Sequence, residues 1–231
     1  MIGGAKDING TNTLKETKEL VDGQLVEKAG MWISRAAFGV AVYPNHTQIF
    51  IAGGRINNQE ATRHCERYIV AQNVWKRLPE LREPKFSTSL CFFNNGGTLY
   101  CFGGLTQTVE NQLTPTASIE RLSKGQNNWQ LLELKMPKTI FDLGALQITS
   151  NEVLLFGGFD SGAKDDCYIY KTGPDDGSFT DGKKLATPDF FVQNGVYIKV
   201  PSEKTQFIFN GHNHMHLFDQ DTMEFKTLPM Q

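Results

Sequence analysis

The chain has 231 residues, of which 39% are hydrophobic, 11% aromatic and 21% charged, and its formal net charge is -2 at pH 7. This composition predicts a folded, strand-rich domain, and the nearly balanced charge argues against disorder and against strong attraction to nucleic acid or an anionic membrane. The sequence has no apolar run approaching the roughly 18 residues of a transmembrane helix, and it has no recognisable signal peptide. We therefore expect a cytoplasmic protein, and nuclear, cytoskeletal or ciliary association stays open.

The first 30 residues have the pattern of an incomplete unit. Gly3 and Gly4 have the form of a strand end, but no strand precedes them in the sequence. Asp22 and Gly23 make a favourable two-residue hairpin turn between the strand-like runs 13–21 and 24–29. We expect this part of the chain to supply the end of one strand and then a hairpin.

Three hairpins follow, and each ends in a pair of glycines. Their apolar runs are nearly continuous, which is typical of strands that are covered on both faces. Glycine suits the crowded strand ends, where the departing backbone often needs positive φ. The paired runs and their glycines are 38–43 and 49–52 with Gly53 and Gly54, 90–93 and 99–102 with Gly103 and Gly104, and 144–148 and 153–156 with Gly157 and Gly158.

A second pattern lies downstream of the glycine pairs, where a large apolar residue precedes a large aromatic residue by seven positions in three units and by nine in the unit of Tyr170. Asn73 and Asn127 stand two residues before tryptophans, where we expect a turn residue that tolerates a left-handed backbone conformation. The apolar pairs are Tyr68 and Trp75, Leu122 and Trp129, Tyr170 and Phe179, and Phe218 and Phe225.

The patterns repeat along the chain. The second glycines are Gly4, Gly54, Gly104 and Gly158, and Gly211 ends a similar run, so the spacings are 50, 50, 54 and 53 residues. A period near 50 with several short strands in each unit is the signature of a β-propeller.

The repeat resembles the kelch family in its double glycine, its Tyr-type residue, its Trp seven positions later and a Pro-Arg-like pair before the next first strand. That last pair stands here as Ser34-Arg35, Pro84-Lys85 and Pro137-Lys138. The resemblance covers practically the whole chain. It implies an all-β propeller of four-stranded antiparallel blades.

The resemblance divides the chain into a partial blade at 1–30 and complete blades at 31–80, 81–135, 136–187 and 188–231. Members of the family often have six blades, so about 75 residues, one and a half repeats, are expected upstream in a longer protein. Completion by an additional chain and a distorted five-bladed ring are the alternatives.

The four cysteines show no metal-site spacing and lie in apolar or alternating stretches. We expect reduced, buried thiols. A disulfide between Cys91 and Cys101 across one hairpin is the alternative. The four residues are Cys65, Cys91, Cys101 and Cys167.

His214 and His216 are the most metal-like pair, because alternate residues of a strand face the same side. No clustered Cys, Asp or Glu completes a ligand set, so we expect no metal and no other cofactor. The kelch family includes copper and iron enzymes, but their ligand sets do not match this sequence, and hydrolase, P-loop and dinucleotide motifs are missing. We expect a protein that is not an enzyme, with a metal-dependent propeller enzyme as the alternative.

Loops on a rigid scaffold are common binding sites, and the connections between second and third strands share one face with the crossovers between blades. This face is rich in cations, so we expect a scaffold that binds a protein partner with an acidic segment. A substrate receptor of a ubiquitin ligase and a cytoskeletal or ciliary component are the alternatives. The basic residues of the Pro-Arg-like pairs could instead lie between blades. The candidate contacts are Trp32, Arg35, Arg55, Arg63, His64, Arg82, Lys85 and Lys138.

Overall fold

The structure is a computed structural model, and it describes residues 1–7, 12–56, 60–108, 112–162, 164–173, 175–185, 197–199, 205–209 and 214–229. These ranges form an all-β protein of short antiparallel strands. The two helical segments are short 3-10 turns at Val70–Gln72 and Asn94–Gly96. In the part of the chain that the structure describes, no helix has the length and apolar character needed to cross a bilayer.

The chain begins with the predicted hairpin. Strand β1 (Thr17–Val21) pairs with β2 (Gln24–Lys28) in an antiparallel two-stranded sheet. Asp22 and Gly23 form the turn with φ values of 48° and 80°. A two-residue turn of this hand needs positive φ at both positions, so the Asp-Gly pair sets the register.

Four four-stranded antiparallel sheets follow within the described ranges, and the strands of each lie side by side in chain order. Sheet 1 contains β3 (Gly39–Val42), β4 (Gln48–Ala52), β5 (Cys65–Ile69) and β6 (Val74–Leu78). Sheet 2 follows β7 (Lys85–Phe86) and contains β8 (Ser89–Phe93), β9 (Thr98–Phe102), β12 (Ile119–Ser123) and β13 (Gln130–Leu131). Strands β10 (Leu105–Gln107) and β11 (Leu113–Pro115) form a separate three-stranded sheet with β7.

Sheets 3 and 4 continue the same order. Sheet 3 contains β14 (Gly144–Gln147), β15 (Glu152–Phe156), β16 (Cys167–Lys171) and β17 (Ser178–Asp181). Sheet 4 contains β18 (Tyr197–Lys199), β19 (Thr205–Phe209), β20 (His214–Asp219) and β21 (Glu224–Pro229). The predictions of an all-β chain and of repeated four-stranded antiparallel sheets are confirmed.

Three of the four predicted apolar pairs are cross-strand neighbours. Tyr68 lies opposite Trp75, Tyr170 opposite Phe179, and Phe218 opposite Phe225. Asn73 has the expected left-handed conformation with φ 51°. The same prediction for Asn127 is wrong, because positive φ falls on Gly125 (84°) in that turn, where glycine adopts it without a steric penalty.

The first strands β3, β8 and β14 of successive sheets lie next to one another. Backbone hydrogen bonds join the segments that lead into them. The Ser87 N–H donates to the Ala37 carbonyl at 2.7 Å, and the Asp142 N–H donates to the Ser87 carbonyl at 2.9 Å. Each of these three residues has φ between 52° and 54°, so the same backbone bend repeats where each sheet begins.

The glycine pairs lie where one sheet meets the crossover that leads to the next. The Gly54 N–H donates to the Lys85 carbonyl at 2.9 Å, and the Gly104 N–H donates to the Ile140 carbonyl at 2.9 Å. A Cβ atom on Gly53 would lie 2.2 Å from the Lys85 carbonyl oxygen. These contacts and positive φ at both glycines of each pair explain the residue choice. Gly211 lies outside the described residues.

Apolar side chains fill the space between sheets. Trp129 of sheet 2 donates its indole N–H to the Pro79 carbonyl of the preceding unit at 2.9 Å, and Trp75 does the same to the Ala29 carbonyl at 2.9 Å. The repeated tryptophans therefore join sheet 1 and sheet 2 to the unit that precedes each of them.

All four cysteines are free and buried, as predicted. Cys91 lies opposite Tyr100, and Cys101 lies opposite Leu90. The two thiols belong to different core clusters, so they face opposite sides of sheet 2. The alternative of a disulfide between them is wrong for this reason.

Candidate functional site

Two of the residues that were predicted to contact a protein partner, Arg35 and Lys85, form buried ion pairs within the fold. The Lys85 ammonium lies 3.0 Å from the Glu120 carboxylate and donates to the Ser118 hydroxyl at 2.8 Å. The Arg35 guanidinium pairs with Glu66, and both members of each pair are essentially excluded from solvent. The prediction that Arg35 and Lys85 contact a partner is therefore wrong, because their charges are satisfied inside the sheets.

Both cations keep their charge in this setting. Burial lowers the pKa of Arg35 despite the nearby Glu66, but a guanidinium stays protonated at neutral pH. Burial also acts to lower the pKa of Lys85, but contacts with neighbouring acidic groups, Glu120 among them, outweigh it and raise the pKa above its ordinary value. Each pair is thus a charged contact between a crossover and the third strand of the sheet that it enters.

Sheet 3 lacks this ion pair. Gly104 bonds to the Ile140 carbonyl in the way that Gly54 bonds to Lys85, so Ile140 and not Lys138 occupies the equivalent position. Tyr168 lies opposite Leu155 in sheet 3, and this is the position that Glu120 has opposite Cys101 in sheet 2. Ile140 and Tyr168 belong to one core cluster, so an apolar pair replaces the charged one.

Lys138 lies at the surface with its side chain 46% exposed and its ammonium 2.6 Å from Asp166. The hydrogen bond from Lys138 lowers the pKa of Asp166, and the same bond raises the pKa of Lys138. The interpretation of Pro137-Lys138 as a third copy of the repeated pair is wrong, because this crossover is longer than the other two.

Trp32 lies at the surface, with 59% of the residue exposed. Its backbone N–H donates to Glu66 at 2.8 Å, and its indole N–H donates to the Trp75 carbonyl at 3.2 Å. The Arg77 guanidinium lies 4.7 Å from the centre of the indole ring. Arg82 holds the corresponding place before sheet 2, since its backbone N–H donates to Glu120 at 2.6 Å.

Three other predicted residues lie exposed in one neighbourhood. The Leu81 N–H donates to the Arg63 carbonyl at 3.0 Å, which brings Arg63 next to Arg82. His64 lies beside Arg63, and its imidazole is 2.8 Å from Glu80. We define the glycine-end patch as Trp32, Arg63, His64, Arg77 and Arg82.

Arg55 differs from this group. Its guanidinium lies 5.7 Å from the Phe86 ring centre, and its Nε is buried without a hydrogen-bond partner. The residue is half-buried against β7, so it is poorly placed to contact a partner.

Sequence reasoning missed Arg77. It lies opposite Glu66 in the register of β5 and β6, and only the fold brings it over Trp32. The backbones of His214 and His216 lie in β20, but their side chains are outside what the structure describes. Among the described residues, no three His, Cys, Asp or Glu side chains form a metal-binding group.

No protein-family model matches the sequence, and no curated protein matches it.

Proposed function

We propose that the chain is a kelch-type β-propeller segment that acts as a scaffold and binds a protein partner through the glycine-end patch. Three features support the propeller. The four-stranded sheets repeat at a period near 50 residues. The first strands β3, β8 and β14 lie side by side. The glycine pairs contact the crossover that leads to the next sheet.

The exposed and ordered Trp32 carries the binding proposal. A large aromatic side chain on the surface is a frequent anchor of protein interfaces, and hot spots are rich in Trp and Arg. Two hydrogen bonds and the stacked Arg77 already hold Trp32 in one position. Binding of a partner therefore restricts the Trp32 side chain little further, which lowers the entropic cost of binding.

The charge of the patch indicates the kind of partner. Arg63, Arg77 and Arg82 are exposed, and none of them has an ion pair within the described residues. Arginines of this kind attract an acidic segment and speed its association. The partner then has acidic side chains around an apolar contact for Trp32.

Affinity capture from a lysate of the source cells, with the 231-residue chain as bait, tests this function. We compare the wild-type chain with Trp32→Ala and with the double variant Arg63→Glu and Arg82→Glu. Loss of a hot spot worth about 2 kcal/mol weakens binding roughly 30-fold. At least one protein should therefore be captured by the wild type and lost from both variants, with its affinity then measured on purified components.

Lys171→Glu is the matched control, because Lys171 is 57% exposed and lies at the other end of the strands. Circular dichroism checks that each variant is folded. If both patch variants keep every protein that the wild type captures at full affinity, the glycine-end patch is not the binding site.

A further inference from the structure

A second site lies in the gap between sheets 1 and 2. This cleft has a volume of about 370 Å³, which is within the range of small-ligand pockets. It opens near the hairpin turns that join β3 to β4 and β12 to β13. We call it the Arg67 cleft, and its apolar lining residues are Tyr43, Phe50, Leu78, Phe92, Leu99 and Leu122.

The cleft wall contains two basic residues, Arg67 and Lys124, and Lys124 lies in the β12–β13 turn. The Arg67 Nη1 donates to Gln48 at 3.2 Å, and its Nε is buried without a hydrogen-bond partner. Within the described residues, no carboxylate forms an ion pair with Arg67. A guanidinium has five N–H donors, and a buried polar group without a partner is costly, so this arginine is poorly satisfied.

Two other arginines have a buried Nε without a partner, but their surroundings differ. Arg35 pairs with Glu66, and Arg55 packs over the Phe86 ring. Arg67 alone of these three combines the unpaired Nε with a place in the wall of this cleft.

The repeat provides an internal comparison. Arg121 has the same position in sheet 2, since it lies opposite Tyr100 as Arg67 lies opposite Phe50. Arg121 donates to Gln130 at 3.0 Å and lies 3.6 Å from Asp176, which belongs to the β16–β17 turn of the next sheet.

The corresponding turn beside Arg67 joins β12 to β13 and carries no acid. Its residues in the cleft wall are Ser123, Lys124, Gly125, Gln126 and Asn127. The carboxylate that the next sheet supplies to Arg121 is therefore missing at Arg67.

We propose that the Arg67 cleft binds a carboxylate attached to an apolar group. The carboxylate pairs with the Arg67 guanidinium, which matches its planar geometry with two parallel hydrogen bonds. The apolar group packs against Phe50 and Phe92, which are in edge-to-face contact in the cleft wall with their ring centroids 5.0 Å apart. A small hydrophobic acid and the C-terminal residue of a peptide share this chemistry.

Isothermal titration calorimetry on the full chain tests the proposal with two pairs of probes. The first pair is 4-phenylbutyrate and its amide, and the second is N-acetyl-Gly-Gly-Phe with a free or an amidated C-terminus. We expect an acid to bind at least tenfold more tightly than its amide. Preference for phenylbutyrate identifies a small acid as the ligand class, and preference for the peptide identifies a C-terminus.

Two variants locate the binding to Arg67. Arg67→Gln should abolish the preference for the acid, whereas Lys171→Gln should keep it, because Lys171 is 57% exposed in sheet 3 and lies outside the cleft wall. Asn127→Asp mimics the arrangement at Arg121 by adding an internal carboxylate on an exposed turn, where a substitution changes stability little. We expect Asn127→Asp to weaken acid binding severalfold, and this test does not depend on whether Arg67→Gln folds.

The proposal is overturned if neither acid binds, if acid and amide bind equally, or if Asn127→Asp leaves acid binding unchanged. None of these results bears on the glycine-end patch, because the two sites share no residue.

Discussion

Lys85 and Glu120 form an ion pair with a 3.0 Å separation between Nζ and Oε1, and neither side chain has any solvent exposure. Arg35 and Glu66 repeat this arrangement one unit earlier, and Ile140 and Tyr168 replace it with an apolar pair one unit later. The cation and the carboxylate are either both present or both replaced by apolar residues in these three units, so we infer that each buried charge depends on the other.

Replacing one member of the pair should destabilise the fold strongly. Lys85→Ile leaves the Glu120 carboxylate buried without its cation, and such a loss costs about 3–5 kcal/mol. Glu120→Tyr leaves the Lys85 ammonium buried without its carboxylate in the same way. The double variant copies the residues of sheet 3, so we expect it to lose much less than the sum of the two single variants. Urea denaturation of all four proteins completes the double-mutant cycle.

Lys138→Ile serves as the control for this cycle, since Lys138 lies at the surface and should change stability by no more than about 1 kcal/mol. Additive losses in the double variant would show that the two buried charges are not coupled.

Gly53→Ala should weaken the docking of sheet 2 on sheet 1. The substitution forces a side chain into a position with φ 65°, and it brings the new Cβ to 2.2 Å from the Lys85 carbonyl oxygen. Left-handed strain costs about 1–2 kcal/mol, and the overpacking adds about 1–3 kcal/mol. Thermal or urea unfolding gives the total.

Gly125→Ala separates the two contributions, because Gly125 has φ 84° but a Cβ added to it would meet no heavy atom within 4 Å. We expect the strain cost alone there. Equal losses at the two glycines would mean that the contact with Lys85 contributes nothing.

The native thiols should resist modification. Burial raises the pKa of Cys101 to about 11 and the pKa of Cys91 and Cys167 to about 12, and it raises that of Cys65 as well. Since the thiolate is the reactive form, we expect no fast reaction with Ellman's reagent at pH 8. All four cysteines should react once guanidinium unfolds the chain. Rapid labelling of one thiol in the native protein would contradict its burial.

Acid should remove the contribution of the pair between Lys138 and Asp166. The folded-state pKa of Asp166 is lowered from 3.8, first by the hydrogen bond from Lys138. A lowered carboxylate pKa gives stability that is present above the unfolded value and is lost as the pH falls through the folded value. The difference in unfolding free energy between wild type and Lys138→Met should therefore shrink from pH 6 to about pH 2.5. A difference that stays constant over this range would exclude the pair as its source.

Local chemistry explains which parts of the fold could be predicted. Asp22-Gly23 forms the predicted turn because its backbone preference needs no distant partner. The alternation of buried residues likewise places Tyr68 opposite Trp75. The assignment of Lys138 failed because a longer crossover shifts the repeat, and a count along the chain cannot detect where the extra residues lie.

The candidate sites depended on contacts between distant residues. Arg35 and Arg63 are both basic residues in the predicted loop face, yet one is fully buried and the other exposed. Burial of a charge requires a partner in the right place, and the sequence does not reveal that Glu66 lies within reach of Arg35. The same holds for Arg77, which reaches Trp32 only through the pairing of β5 with β6.

The sequence by itself determined the strands, the tight turns and the repeated glycine pairs, because side-chain alternation and backbone conformation are local properties. The tertiary structure alone decided which cations are buried, that Trp32 stays exposed and that Arg67 in the cleft has no carboxylate beside it among the described residues. Those outcomes follow from the packing of one sheet against the next, where charge, space and solvent access are set by residues far apart in the chain.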